Sequence, residues 1–165
     1  MSDFLVLQDI NLDENSLDKG KYTIFQLSQI VKPCVGCFGC WLKTPGKCVI
    51  KDNDSTFGII MPHVKGVIVI SELVFGGFSP NIKAIFDRSI GFILPFFCNV
   101  NGEMHHKQRY KKRPDLTYMF YGQNCTQAEK DIAQKLTKAN AINFGADNYS
   151  TLFYNSFQEI LEELK

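Results

Sequence analysis

Four cysteines in one short loop carry the densest chemistry in the sequence. Cys34, Cys37, Cys40 and Cys48 follow the spacing C-x2-C-x2-C-x7-C. The first three are spaced as in bacterial ferredoxin loops, and the step to the fourth is longer. Four thiolates this close together can wrap an iron–sulfur cluster or a zinc ion. Free thiols in a tight Gly-rich turn, or an adventitious disulfide, are the structural alternatives. Cys98 and Cys125 stand apart from the group and read as packing residues. The N-terminus, Met1–Ser2–Asp3, is acidic where a secretion signal is basic. Six cysteines in such a chain favour metal or redox roles over a disulfide scaffold, and a cytoplasmic location is expected.

Other reactive groups are weaker signals. His105 and His106 are neighbours, and adjacent side chains on an extended chain point apart, so they make a poor metal pair. With Lys107, Arg109, Lys111, Lys112 and Arg113 they form a basic stretch, either a solvated face or a phosphate clamp. Asp87 and Arg88 read as structural ion-pair or capping groups. No side chain is nominated as a catalytic acid or base. Fourteen Phe and six Tyr serve mainly as core, with the further option of lining a cleft for a flat ligand. Lys plus Arg is 18 and Asp plus Glu is 17, which gives no electrostatic case for nucleic acid or an anionic membrane. The apolar runs Gly66–Ile70 and Ile90–Phe97 are too short to span a bilayer.

The elements that must position these residues alternate along the chain. Phe4–Gln8 and Tyr22–Leu27 read as strands, and Pro33–Cys48 as a loop. A short helix is expected from Ser55 with Asp54 as its cap. Gly66–Ser71 is a β-branched run typical of a central parallel strand. Ser79-Pro80 opens a helix with Ile82, Ile85, Phe86 and Ile90 on one face. Leu94–Pro114 is an excursion without clear periodicity, as lids and interface elements often are. Leu116–Tyr121 is a strand. A capping box at Thr126 and Glu129 starts a helix with Ala128, Ile132, Leu136 and Ala139 on its expected buried side, ended by Gly145. Tyr149–Phe153 is the last strand, and Ser156 with Glu159 caps a final amphipathic helix. The alternation predicts an α/β fold over residues 1–165 as a single domain: a mostly parallel sheet with helices on both faces. Ligands in such sheets bind outside the carboxyl ends of the strands, where strand order reverses.

Three segments carry a resemblance to a known family. They are Lys32–Asp54, with its Pro-Cys-Val-Gly-Cys-Phe-Gly-Cys-Trp core; Phe75–Arg88, opening Phe-Gly-Gly-Phe-Ser-Pro-Asn; and Gly102–Tyr110. Together they resemble the flavodoxin-like NAD(P)H-dependent FMN reductase family, in the branch related to iron–sulfur flavoproteins. The resemblance implies a doubly wound five-stranded sheet of order 2-1-3-4-5. It implies FMN, with the loop Leu73, Val74, Phe75, Gly76, Gly77, Phe78 and Ser79 around the ring and Tyr121, Gly122, Gln123 and Asn124 on its other side. It implies that Cys34, Cys37, Cys40 and Cys48 can ligate a [4Fe–4S] cluster. NAD(P)H as hydride donor and a homodimer, with Leu94–Pro114 as its contact, are implied as well. By topology, the cysteine loop follows the second strand and is expected on the carboxyl side, near the ring or in a subunit contact.

One departure stands out. The family's first strand runs into a Gly-Ser-Pro-Arg-type loop whose amides and following helix hold the FMN phosphate. Here the chain reads Gln8-Asp-Ile-Asn-Leu-Asp-Glu-Asn-Ser16, without Gly or Arg and with Asp9, Asp13 and Glu14. Carboxylates repel a phosphate dianion. The short span to the second strand predicts a first helix that is shortened or missing. Three readings stay open: an FMN-dependent oxidoreductase, a one-electron carrier with FMN and an optional cluster, and a non-catalytic relative that has lost FMN.

Overall fold

The computed structural model describes residues 2–10, 12–13 and 15–165; Glu14 therefore lies outside the described residues. The described strands are β1 (Phe4–Gln8), β2 (Tyr22–Phe25), β3 (Gly66–Glu72), β4 (Ile93–Val100), β5 (Glu103–Gln108), β6 (Asp115–Tyr121) and β7 (Tyr149–Tyr154). The helices are α1 (Gly39–Leu42), α2 (Phe57–Ile60), α3 (Pro80–Arg88), α4 (Gln127–Phe144) and α5 (Phe157–Leu164). No helix among the described residues is long and apolar enough to cross a membrane.

Five strands form one parallel sheet in the order β2-β1-β3-β6-β7. That is the expected 2-1-3-4-5 order, counting sheet strands alone. β3 is buried at every residue except Glu72, as a β-branched run covered on both faces must be. Alternation along the strands divides two cores. Leu5, Leu7, Val67, Val69 and Phe120 face α3, α4 and the α2 region, where Phe57 and Met61 are fully buried. Val6, Ile68, Ile70 and Met119 face α5, with Leu17 and Tyr22.

The expectation of a first helix shortened or missing agrees with the described residues. The described residues between β1 and β2 form turns and bends and no helix. Leu17 fills in for it, joining Ile160 and Leu164 of α5 over the sheet. β2 stops at Phe25, two residues before the expected Leu27.

Elsewhere the structure corrects the sequence reading. Residues 94–114 are not irregular: β4 and β5 pair antiparallel as a hairpin. Its turn is Asn101-Gly102, with φ of 53° and 90°, a sequence pair suited to a tight hairpin turn with left-handed residues. Pro95 falls where the register shifts between Ile93 and Phe97, because proline offers no ladder N–H. Asp52 caps the 3-10 turn Asn53–Thr56 that leads into α2, accepting from Ser55 N at 3.0 Å, whereas Asp54, the expected cap, is buried within that turn. The capping box at Thr126 and Glu129 is complete, and Gly145 ends α4 in the left-handed region. In α5, Ser156 caps Glu159 N, but the Glu159 carboxylate accepts from Asn155 N instead of returning to Ser156.

The buried face of α4 is Ala133, Thr137, Ala141 and Phe144, not the expected Ala128, Ile132, Leu136 and Ala139. Small side chains let the helix lie close to the sheet, where Thr137 Oγ1 meets Thr151 Oγ1 at 2.7 Å. Ile132 is left 52% exposed and Leu136 37% exposed. Ile160→Ala, in the second core, is therefore expected to lower stability by about 2–4 kcal/mol. Leu136→Ala is expected to cost less than about 1 kcal/mol. Urea denaturation of the two variants checks the assignment of both faces.

Candidate functional site: a cysteine cavity and two loops at the sheet edge

The cysteine loop is built by close backbone contacts. Gly36 (φ 65°), Phe38 (φ 53°) and Gly46 (φ 87°) turn the chain back on itself around α1. A Cβ at Gly39 would stand 2.3 Å from Val49 Cγ1, so only glycine fits there. Trp41 pins the loop: its Nε1 donates to Ile90 O (3.1 Å) and Ile93 O (2.9 Å). Its ring stacks on Phe38 and leans on His106.

This folding brings all four predicted cysteines together. Cys34, Cys37, Cys40 and Cys48 line one small apolar cavity of about 60 Å³, shared with Asp87, Arg88 and Ile90 at the end of α3. None is in a disulfide. Burial, with the neighbouring thiols Cys48, Cys34 and Cys37, pushes the Cys40 thiol pKa up, so a ligand must supply the charge that makes it a thiolate. Among the described residues no three His, Cys, Asp or Glu side chains converge as for a single ion. Four thiols around one void are a donor set that an iron–sulfur cluster or a zinc ion can take.

Arg88 ties this cavity to the fold. Its side chain is 0% exposed and pairs with Asp52, with Asp54 Oδ2 at 3.8 Å. It also donates to Lys32 O at 3.3 Å. Asp54 in turn accepts from Ser28 N at 3.0 Å. Asp87 pairs instead with Lys83 on the surface.

The two predicted ring loops lie side by side at the carboxyl edge of the sheet. Val74 and Gly77 pair across a tight turn, N–H to carbonyl at 3.0 and 2.8 Å. The turn residues are Phe75 (φ 50°) and Gly76 (φ 78°). Phe75 is 88% exposed, and a bulky residue held in the left-handed region stores strain. Gly76 is required by α4: a Cβ there would stand 2.8 Å from Ile132 Cβ. Leu73, Phe78 and Ser79 are buried and form the loop's footing; Phe78 stacks on Phe120, and Ser79 N donates to Ser71 Oγ at 2.9 Å. Leu73 N donates to Tyr121 O at 2.9 Å, which joins the first loop to Tyr121–Asn124. Gln123 and Asn124 are exposed there, with Asn124 at φ 60°.

The cysteine cavity is not beside these loops. Val31 N donates to Asn81 Oδ1 at 3.2 Å, and the Arg88 side chain reaches back along α3 to the carbonyl of the next residue, Lys32. The cysteines share their cavity with Asp87 and Arg88 at the C-terminal end of α3, and the ring loop leads into its start. α3, with nine residues, is about 13 Å long. Of the basic stretch, Arg109 donates to Gly91 O at 2.7 Å and Arg113 pairs with Asp147 at 3.2 Å. His105 and His106 point apart as expected, one to Asn143 and one to Leu94 O.

Comparison with known proteins agrees with this architecture. No protein-family profile matches the sequence. An iron–sulfur flavoprotein of Methanocaldococcus jannaschii is 40% identical over 68 residues, which is 39% of this chain and 34% of that protein. An iron–sulfur flavoprotein of Methanosarcina thermophila is 32% identical over 68 residues, covering 41% of this chain and 35% of the relative. The chain thus matches about a third of the length of these curated relatives. An azoreductase from Bacillus anthracis aligns over 99% of this chain and 93% of its own, with TM-score 0.58 at 12% identity. An FMN-dependent NADH-azoreductase from the same species, in complex with FMN, aligns over 99% and 94%, with TM-score 0.52 at 13% identity. The structural likeness shows a flavodoxin-like α/β fold.

Against that flavodoxin-like frame, the end of β1 is the exception. Asp9 Oδ2 accepts from Glu72 N at 2.9 Å and Asp9 Oδ1 accepts from Tyr121 OH at 2.9 Å. Burial, and then Asp9, push the Tyr121 pKa far up, so the phenol stays a donor. A carboxylate thus caps β3 and β6 at the point where strand order reverses. This carboxylate does not fit a phosphate dianion.

Gly76→Ala is expected to cost roughly 1–3 kcal/mol, combining φ strain with the collision at Ile132. Gly102→Ala, at φ 90° with nothing within 4 Å, bears the strain alone and is expected to cost about 1 kcal/mol. Thermal melts of the pair separate the two effects.

Proposed function

We propose that this chain is an electron-transferring flavoprotein that holds a [4Fe–4S] cluster in the cysteine cavity and FMN at the ring loops. One observation carries the reading: all four cysteines of the C-x2-C-x2-C-x7-C motif line a single cavity. Cys34, Cys37, Cys40 and Cys48 would be the ligands. The likeness to iron–sulfur flavoproteins supports the same assignment. When bound, the cluster supplies one-electron chemistry and FMN links it to hydride donors such as NAD(P)H. The chain's own part is positional. Trp41 and Arg88 fix the cysteine loop, the Val74–Gly77 turn and Gln123–Asn124 offer backbone and polar groups to a ring edge, and α3 spaces the two sites.

FMN is supported by the adjoining loops at the sheet edge and by the azoreductase bound to FMN. Asp9 works against its phosphate, so on this reading the phosphate would need cationic partners other than the end of β1. The exposed side chains of Phe96, Phe97 and Met104 on the β4–β5 hairpin support pairing of two copies through that element.

Anaerobic reconstitution with ferrous iron and sulfide tests the cluster. A broad visible shoulder with about four irons per chain is expected, lost in Cys37→Ser. A spectrum identical for wild type and Cys37→Ser would sink the assignment. Titration with FMN tests the flavin: quenching of its fluorescence, followed by bleaching on NADPH addition, is expected of an oxidoreductase, and quenching without bleaching of a carrier.

A further inference from the structure

We propose that Arg88 is a positioning residue for the cysteine cavity, its buried guanidinium holding the Cys48 thiolate in place as a cluster ligand. The proposal rests on the cluster reading above and extends it to a residue outside the cysteine motif.

The argument begins with an unpaired donor. The Arg88 side chain has no solvent exposure, and its Nη groups are used by Asp52, by Lys32 O at 3.3 Å and, at 3.8 Å, by Asp54 Oδ2. Its Nε is buried with no hydrogen-bond partner. A buried charged donor without an acceptor is costly, and native structures rarely keep one. The ion pairs with Asp52 and Asp54 account for two nitrogens and leave the third.

The cavity holds the candidate acceptors, the cysteine sulfurs, though none is bonded to Nε. Arg88 and Cys48 line the same void, which is otherwise nearly all apolar. In so apolar a site a guanidinium and a thiolate attract each other strongly. Groups that orient metal ligands from behind commonly govern metal retention, and hydrogen bonds to the sulfurs of a cluster raise its potential. Arg88 is suited to both, because its planar fork can serve Asp52 and a sulfur at once.

The experiment compares wild type, Arg88→Lys, Arg88→Met, Asp52→Asn/Asp54→Asn, and the triple variant Asp52→Asn/Asp54→Asn/Arg88→Met. All are reconstituted anaerobically with ferrous iron and sulfide. The triple variant keeps the buried site free of a lone charge, so it remains informative where Arg88→Met alone fails to fold. Relative to the Asp52→Asn/Asp54→Asn parent, the triple variant is expected to lose iron to a chelator roughly 10- to 100-fold faster. Its midpoint potential is expected to shift to more negative values. Arg88→Lys, which keeps the cation, is expected to hold its potential near that of wild type. A folded triple variant matching its parent in both iron retention and potential would overturn the role of Arg88 and leave the cluster intact. A wild-type protein that forms no cluster overturns the cluster reading and this inference with it.

Discussion

A guanidinium without access to water holds the functional half of this molecule together. Arg88 reaches from the last turn of α3 to Asp52, Asp54 and the carbonyl of Lys32. Through Asp54 the tie extends to Ser28. Three stretches far apart in sequence thus meet at one charge. Such a site is strongly asymmetric in its energetics. Removing one partner leaves an uncompensated buried charge, at about 3–5 kcal/mol, whereas removing the set together can be nearly neutral. The cysteine loop, short and glycine-rich, has little core of its own and depends on this anchor and on Trp41.

The sheet divides the labour differently. On the α3–α4 side, aromatic rings interlock: Phe78 with Phe86, Tyr118 and Phe120, and Phe92 with Phe144. This densely packed face carries the footing of the ring loop. Among the described residues the opposite face shows no helix between β1 and β2 and relies on α5 and Leu17. The thinner cover lies at β1 and β2, next to Asp9.

Much of this was legible in the sequence. Gly66–Ile70 could only be a central strand, and Ser79-Pro80 marked the start of α3. The shortened or missing first helix followed from the short span before Tyr22. The cysteine motif predicted a cluster of thiols, and they do share one cavity. Other features needed tertiary context. Asp52 and Asp54 are equally good caps by type, and only the fold shows that Asp52 caps while Asp54 is buried against Ser28 N and Arg88. On α4 the large residues Ile132 and Leu136 suggested the buried side, but close approach to β7 selected the small ones. The hairpin of residues 93–108 was read as irregular: its Asn101-Gly102 turn signal went unused, and Pro95 and the polar side chains of β5 obscured its strands. The cysteine cavity was expected near the carboxyl edge because its loop follows β2, but the loop gathers beside Asp87 and Arg88 at the far end of α3.

That placement gives the helix an electrical consequence. Its aligned peptide dipoles place roughly half a positive charge at the first turn and half a negative charge at the last. The first turn opens beside the ring loop, and the last lies against four thiols. On the proposed reading, the helix acts as a fixed bias between two redox sites. It favours added negative charge at the flavin end and opposes it at the cysteine end. A cation in the last turn of α3 offsets that bias where it is least favourable, which is the position Arg88 occupies.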